Sequence, residues 1–251
     1  MEILTTNLPS GGFGYDFPSI NISPLNFLQI IKYRENCPQD PLEKYLYNIR
    51  MLMDEEPKIG NCYLMDLDFI IFLKQLITVS EDMTSYNITV NCPYCGKPLR
   101  KKISLEKDIQ FKQIDSKIMR GSQIRLGDTQ YETIVPTVNQ FMKVLQLYTR
   151  YRSITDLDII KILSLFSNFE VAANKIEAAV QNATHSDITL LKALQDLYFD
   201  RLEGIEIVCP GCSKNEGERR SLTVSVSSLI VDFFRDIYIN SPINESKIVF
   251  K

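Results

Sequence analysis

Two short cysteine motifs, Cys92-Pro93-Tyr94-Cys95 and Cys209-Pro210-Gly211-Cys212, are the places in this 251-residue chain best equipped for chemistry. Each follows a run that alternates apolar and polar residues, Asn87-Ile88-Thr89-Val90-Asn91 and Gly204-Ile205-Glu206-Ile207-Val208. A Cys-x-x-Cys on a tight turn presents two thiolates side by side, and two such turns supply the four soft ligands of a tetrahedral structural zinc ion. Four protein ligands leave no open position for water or substrate, so a site of this kind builds a fold rather than turning over a substrate. The expected metal ligands are Cys92, Cys95, Cys209 and Cys212, with Zn2+ as a structural cofactor.

The same spacing leaves competitors. A thioredoxin-type redox motif comes as one pair at a helix start, where the dipole lowers one thiol pKa, whereas here two pairs lie between strands. Ribbon knuckles are usually separated by roughly 15–20 residues, and residues 96–208 are a far longer spacer. A joint site therefore requires distant parts of the chain to fold toward each other. Two disulfides or redox pairs, unoccupied knuckles, or two separate two-cysteine sites each finished by a neighbouring chain are the other arrangements. Cys37 and Cys62 stand alone and read as small buried or half-buried thiols.

No catalytic set can be assembled around His185, the single histidine, which reads as a solvated neighbour of a helix cap. Ser10-Gly11-Gly12-Phe13-Gly14-Tyr15 lacks the Gly-Lys-Ser/Thr of a phosphate loop; it reads as a flexible, aromatic N-terminal arm that docks on a partner subunit or packs on its own chain. Neither enzymatic activity nor a small-molecule substrate is expected. With 28 basic and 31 acidic side chains, a net charge of −3, the chain lacks the basic excess of a phosphate-backbone binder. Nucleic acid is not the expected partner, and Lys97, Arg100, Lys101 and Lys102, echoed by Arg219 and Arg220, read as a solvated strand face. Met1 to Thr5 has no basic segment leading into an apolar one, and no run approaches the ~18 apolar residues of a membrane span. The chain reads as soluble and unexported, without a transmembrane segment.

The elements that must position the cysteines follow from periodicity. Apolar content of 45% supports a sizeable core. Ser23-Pro24 and Asp40-Pro41 read as caps followed by a helix-starting proline, giving helices near 24–35 and 41–53. The segment 64–79 is apolar nearly all round and reads as a central buried helix. Further helices are expected near 137–150, 155–167, 169–182, 187–202 and 228–238, and strands at 86–91, 99–104, 122–126, 130–135, 205–208 and 221–226. Gly127-Asp128 marks a hairpin turn. The fold class is α+β, mainly helical with short antiparallel β-hairpins.

Self-comparison adds a higher level of order. Ile20-Asn21-Ile22 before Pro24 parallels Glu132-Thr133-Ile134-Val135 before Pro136, each leading into a helical pattern. Asp68 to Leu76 parallels Asp187 to Leu194, and each precedes a knuckle. The pattern reads as two related halves joined by a zinc-ribbon-like site of four cysteines, with coincidence of common α+β patterns as the alternative. The expected organisation is an arm at 1–18, a first half at 19–116, a second half at 117–239 and a tail at 240–251.

Leu8-Pro9-Ser10-Gly11-Gly12 through Tyr15, Ile22-Ser23-Pro24-Leu25 with the helix after it, Asp66 to Leu76, and Cys92-Pro93-Tyr94-Cys95-Gly96 ahead of Ser104-Leu105 resemble the baseplate hub and hub-assembly proteins of T-even-type contractile-tailed bacteriophages. The similarity covers most of the chain loosely; the leader and the Cys-Pro-Tyr-Cys-Gly element are its specific parts. The resemblance implies a non-enzymatic structural or assembly role in the central hub of the tail baseplate, with other hub or tail proteins and the tape measure protein as partners. It places the chain in the host cytoplasm during assembly and, for a component, in the virion tail. The length is nearer the assembly-factor type. The alternative function is a zinc-ribbon nucleic-acid-binding or transcription accessory protein.

Overall fold

The computed structural model describes residues 1–79, 85–112, 114–151, 157–199, 201, 203–212 and 221–224. About half of the chain is helical, and the strands among the described residues form four separate two-stranded antiparallel sheets. The expected helix at 228–238 and the tail at 240–251 lie outside the described residues.

The chain opens with β1 (Glu2–Leu4) paired to β2 (Ser19–Asn21), a strand pair that the short, polar-flanked first segment does not announce. The loop between them folds back onto the body, with Ile3 and Leu8 in the main core. Residues 1–18 thus pack on their own chain, one of the two readings of the glycine-rich segment. The physical reason is Asp66, a fully buried carboxylate that must find donors. It accepts the Ser10 N–H at 2.7 Å and the Tyr15 hydroxyl, while the Tyr15 oxygen accepts the Tyr63 N–H at 2.7 Å.

The helix α1 (Phe27–Asn36) begins three residues later than its periodicity suggests, behind a reciprocal cap between Asn26 and Gln29. Ser23, Pro24 and Leu25 lie outside the helix; the Ser23 N–H donates to Glu55 and the Leu25 N–H to Thr78 Oγ1 at 3.1 Å. The next helix, α2 (Pro41–Glu55), starts where predicted, with Asp40 accepting the Glu43 N–H and proline in its first turn. Then comes α3 (Leu64–Val79), the expected buried helix. Leu67, Ile70, Phe72, Leu73 and Leu76 are all enclosed, and so is Lys74, which pairs with Glu55.

Next come β3 (Ser85–Asn91) and β4 (Pro98–Ser104), paired from Ser85↔Ser104 to Asn91↔Pro98, and a single turn, α4 (Leu105–Asp108). The expected Gly127-Asp128 hairpin joins β5 (Ser122–Leu126) to β6 (Thr129–Thr133). Four helices follow: α5 (Val138–Tyr151), α6 (Leu157–Ser164), α7 (Phe169–Gln181) and α8 (His185–Tyr198). The last starts two residues before the predicted position because Thr184 and Asp187 cap each other; His185 is an exposed first-turn residue. Finally β7 (Ile205–Val208) pairs with β8 (Ser221–Val224).

One continuous core runs through the molecule. Tyr63 and Thr137 form a β-bridge, with the Leu64 N–H on Pro136 O at 2.8 Å and the Val138 N–H on Cys62 O at 2.9 Å. Tyr45 meets Phe141 edge-on with ring centroids 6.0 Å apart. The segments 19–116 and 117–239 therefore meet through shared packing as well as at the cysteines.

Candidate metal centre

Each knuckle is the end of a strand whose alternation decides which sulfur points inward. Ile88 and Cys92 lie four apart on one side of the first run, and Ile205, Ile207 and Cys209 occupy alternate positions on the second. Cys92 and Cys209 are accordingly 3% and 2% exposed, while Cys95 is exposed and Cys212 half-buried. The first turn closes on itself: the Cys92 N–H donates to Lys97 O at 2.9 Å and the Gly96 N–H to Cys92 O at 2.8 Å. Gly96 takes φ +70°, a conformation that a side chain would strain. The second turn is held by the Cys212 N–H on Cys209 O at 3.2 Å.

Three tethers bring these turns together. A short antiparallel ladder binds the chain after the first hairpin to the chain before the second: Lys112 N–H to Arg201 O and Glu203 N–H to Gln110 O, both 2.9 Å. The buried Arg201 guanidinium reinforces it by donating to Lys112 O. On β4, the Lys101 ammonium donates to Glu206 O on β7 at 3.0 Å and pairs with Asp108 at 2.9 Å. Lys97, on the first turn, lies across Gly211 of the second, its Cδ 3.3 Å and its Nζ 3.5 Å from where a Cβ on that glycine would stand.

The result is a compact set of four sulfurs. Cys92 Sγ lies 3.8 Å from Cys212 Sγ, Cys95 Sγ lies 3.7 Å from Cys209 Sγ, and all four fall within 4.8 Å of one another. A metal at about 2.3 Å from each of four sulfurs implies tetrahedral edges of about 3.8 Å, so these two separations already have the length of such edges. They are far from the roughly 2.05 Å of a disulfide. The four cysteines read from the sequence can hold one metal ion in common, and no neighbouring chain is needed to complete the set.

The electrostatics differ across the cluster. Burial opposes ionisation of Cys92, but the N–H groups of Tyr94 and Cys95 donate to its sulfur, helped by the Cys209 and Cys95 thiols. Its pKa falls from 9.0 to about 7. Cys212 is pushed up to about 12 by its hydrogen bond with Cys95, by burial, and by the Cys209 and Cys92 thiols beside it. Four thiols this close cannot all ionise without a cation among them, which is the condition that a bound divalent metal satisfies.

The structure keeps the other candidates away. Cys62 is fully buried, its thiol pushed up to about 12 by desolvation and by the Asp66 carboxylate, and Cys37 is half-buried; neither joins the cluster. Sequence reasoning did not find the contact of Lys97 with Gly211, because a glycine at the third position of a knuckle gives no sign of what lies over it. Nor did it find the Asp66–Tyr15 clasp, although an acid inside an otherwise apolar helix was a visible signal. No protein-family model, curated protein or solved structure matches the chain.

Proposed function

We propose that this chain is a non-enzymatic structural or assembly protein of a contractile phage tail, acting at the baseplate hub, in which one structural zinc ion clasps Cys92, Cys95, Cys209 and Cys212. The observation that carries the structural reading is the pair of sulfur separations, 3.8 and 3.7 Å, between residues 120 and 114 positions apart. Soft thiolate donors in a four-coordinate set suit zinc over the harder divalent ions. A closed site of this kind fixes geometry and carries out no reaction.

The hub assignment is supported by the resemblance of the Leu8–Tyr15 leader and of the Cys-Pro-Tyr-Cys-Gly turn. It is further supported by apolar side chains left in water: Phe27 and Leu28 are 67% and 68% exposed, and Phe13, in the leader, is 42% exposed. Such surface suits a protein that is buried on assembly. The partners in this reading are hub or tail proteins, met in the host cytoplasm. We infer further that 19–116 and 117–239 are related halves. Each runs from a strand through Pro24 or Pro136 and a set of helices to a knuckle hairpin.

The test is affinity capture of the tagged protein from infected cells, set beside purified particles. Recovery with hub subunits in particles marks a component; recovery only in assembly intermediates marks an assembly factor; recovery in neither overturns the reading. Elemental analysis of native protein checks the metal separately, with one zinc per chain expected.

A further inference from the structure

We propose that the outward face of the β3–β4 hairpin binds the phosphate backbone of single-stranded nucleic acid. The net charge of −3 conceals a separation. Residues 85–104 contain Lys97, Arg100, Lys101 and Lys102 and no acid, so the hairpin carries +4 and the rest of the chain −7. Strand alternation sorts these cations. Lys101 shares a side with the buried Leu99 and Ile103 and is used by Asp108 and Glu206 O. Arg100 and Lys102 point the other way and are exposed, and among the described residues neither forms an ion pair.

Register completes the face. Lys102 stands opposite Asn87, Arg100 opposite Thr89, and Pro98 opposite Asn91, all exposed where their burial is described. Two residues along a strand are about 6.8 Å apart, the scale of successive phosphates on an extended strand. Arg, Lys, Asn and Thr are the side chains that contact phosphate and sugar oxygens. At the knuckle end, Tyr94 is 61% exposed, an aromatic ring on which a base can stack without regard to its identity. A protein partner is the weaker fit, since protein interfaces centre on buried apolar anchors. The residues at 87, 89, 91, 100 and 102 supply none.

The inference does not rest on the hub assignment. It is tested on the full-length, metal-loaded protein by fluorescence anisotropy with labelled dT12, over 50 to 200 mM salt. The two cations of this face, Arg100 and Lys102, give a log–log salt slope of about −1.4, which lowers affinity roughly 7-fold over that range. Arg100→Glu with Lys102→Glu is expected to weaken binding at least about tenfold while leaving metal content at the wild-type value. Lys175→Glu with Lys192→Glu, an equal charge change on exposed positions of α7 and α8, is expected to have little effect. The proposal is overturned if dT12 does not bind at 50 mM salt, if both double variants lose affinity alike, or if a labelled hexaglutamate peptide binds as tightly as dT12. The last outcome would reassign the face to an acidic protein partner.

Discussion

Removing the metal, or one of its ligands, tests the clasp most directly, and Cys209→Ser is the variant of choice because that sulfur is buried and its partner Cys95 lies 114 positions away. A link across that span removes loop-closure entropy from the unfolded chain worth about 5 kcal/mol in the chain-entropy model. The continuous core takes in Cys92 and Cys209 but is built mainly from apolar side chains such as Ile70, Phe141, Phe166 and Tyr198, so the body should still fold without the clasp. For a chain of this size each kcal/mol moves the melting midpoint by roughly 2–4 °C, so loss of the clasp should lower Tm by about 10–20 °C. The assay is calorimetry on metal-loaded, chelator-stripped and Cys209→Ser protein, with metal content measured on each sample. Stripped wild type and the variant should melt together, and returning zinc should rescue only the wild type. A drop below about 3 °C, or an equal drop for Cys37→Ser at the half-buried cysteine outside the cluster, would refute the reasoning.

Other perturbations probe the parts that hold the site. Burial lifts the Asp66 pKa from 3.8 to about 6 against the pull of its Tyr15 and Ser10 hydrogen bonds. The folded state therefore holds this proton longer than the unfolded one, and stability should be greatest below pH 3.8 and fall as pH rises through 6, by on the order of 3 kcal/mol from this group. Urea midpoints of wild type and Asp66→Asn at pH 4 and pH 7 should differ in that sense, and an identical pH dependence in both would sink the assignment. Glu55→Ala strands the buried Lys74 ammonium and should cost about 3–5 kcal/mol, whereas Lys74→Met with Glu55→Leu should be nearly neutral in the same denaturation assay. Lys97→Glu places a negative charge over the second knuckle and should speed metal loss to a chelator several-fold; an unchanged rate would show that the contact with Gly211 is packing alone.

Much of the local chemistry was legible. The Asp40-Pro41 start of α2, the all-round apolar α3, the Gly127-Asp128 hairpin and the strands flanking both knuckles lie where period and turn residues place them. Misreadings arose where a local cap was passed over and where a distant group took a backbone donor. Ser23 has the residue type of a helix cap, but Asn26 and Gln29 form the reciprocal cap and the helix begins at Phe27. The glycine-rich leader looked mobile because nothing near it in sequence reveals that Asp66, more than fifty positions on, is a buried acceptor in need of its donors.

By itself the sequence singled out the four thiols that could hold a metal, the turns that pair them two by two, and the mixed, mainly helical character of the chain. These depend on residue type and on spacing over a few positions, which the backbone translates directly into geometry. Only the tertiary structure decided that the two pairs lie together, close enough to hold one ion. That outcome depends on the 110–112 and 201–203 ladder, on Lys101 reaching Glu206 and on Lys97 crossing to Gly211. It also decided that Arg100 and Lys102 share an open face while Lys101 turns to the partner hairpin. Contacts between residues a hundred positions apart leave no periodic trace in a single chain, because their register is set by packing and not by neighbours.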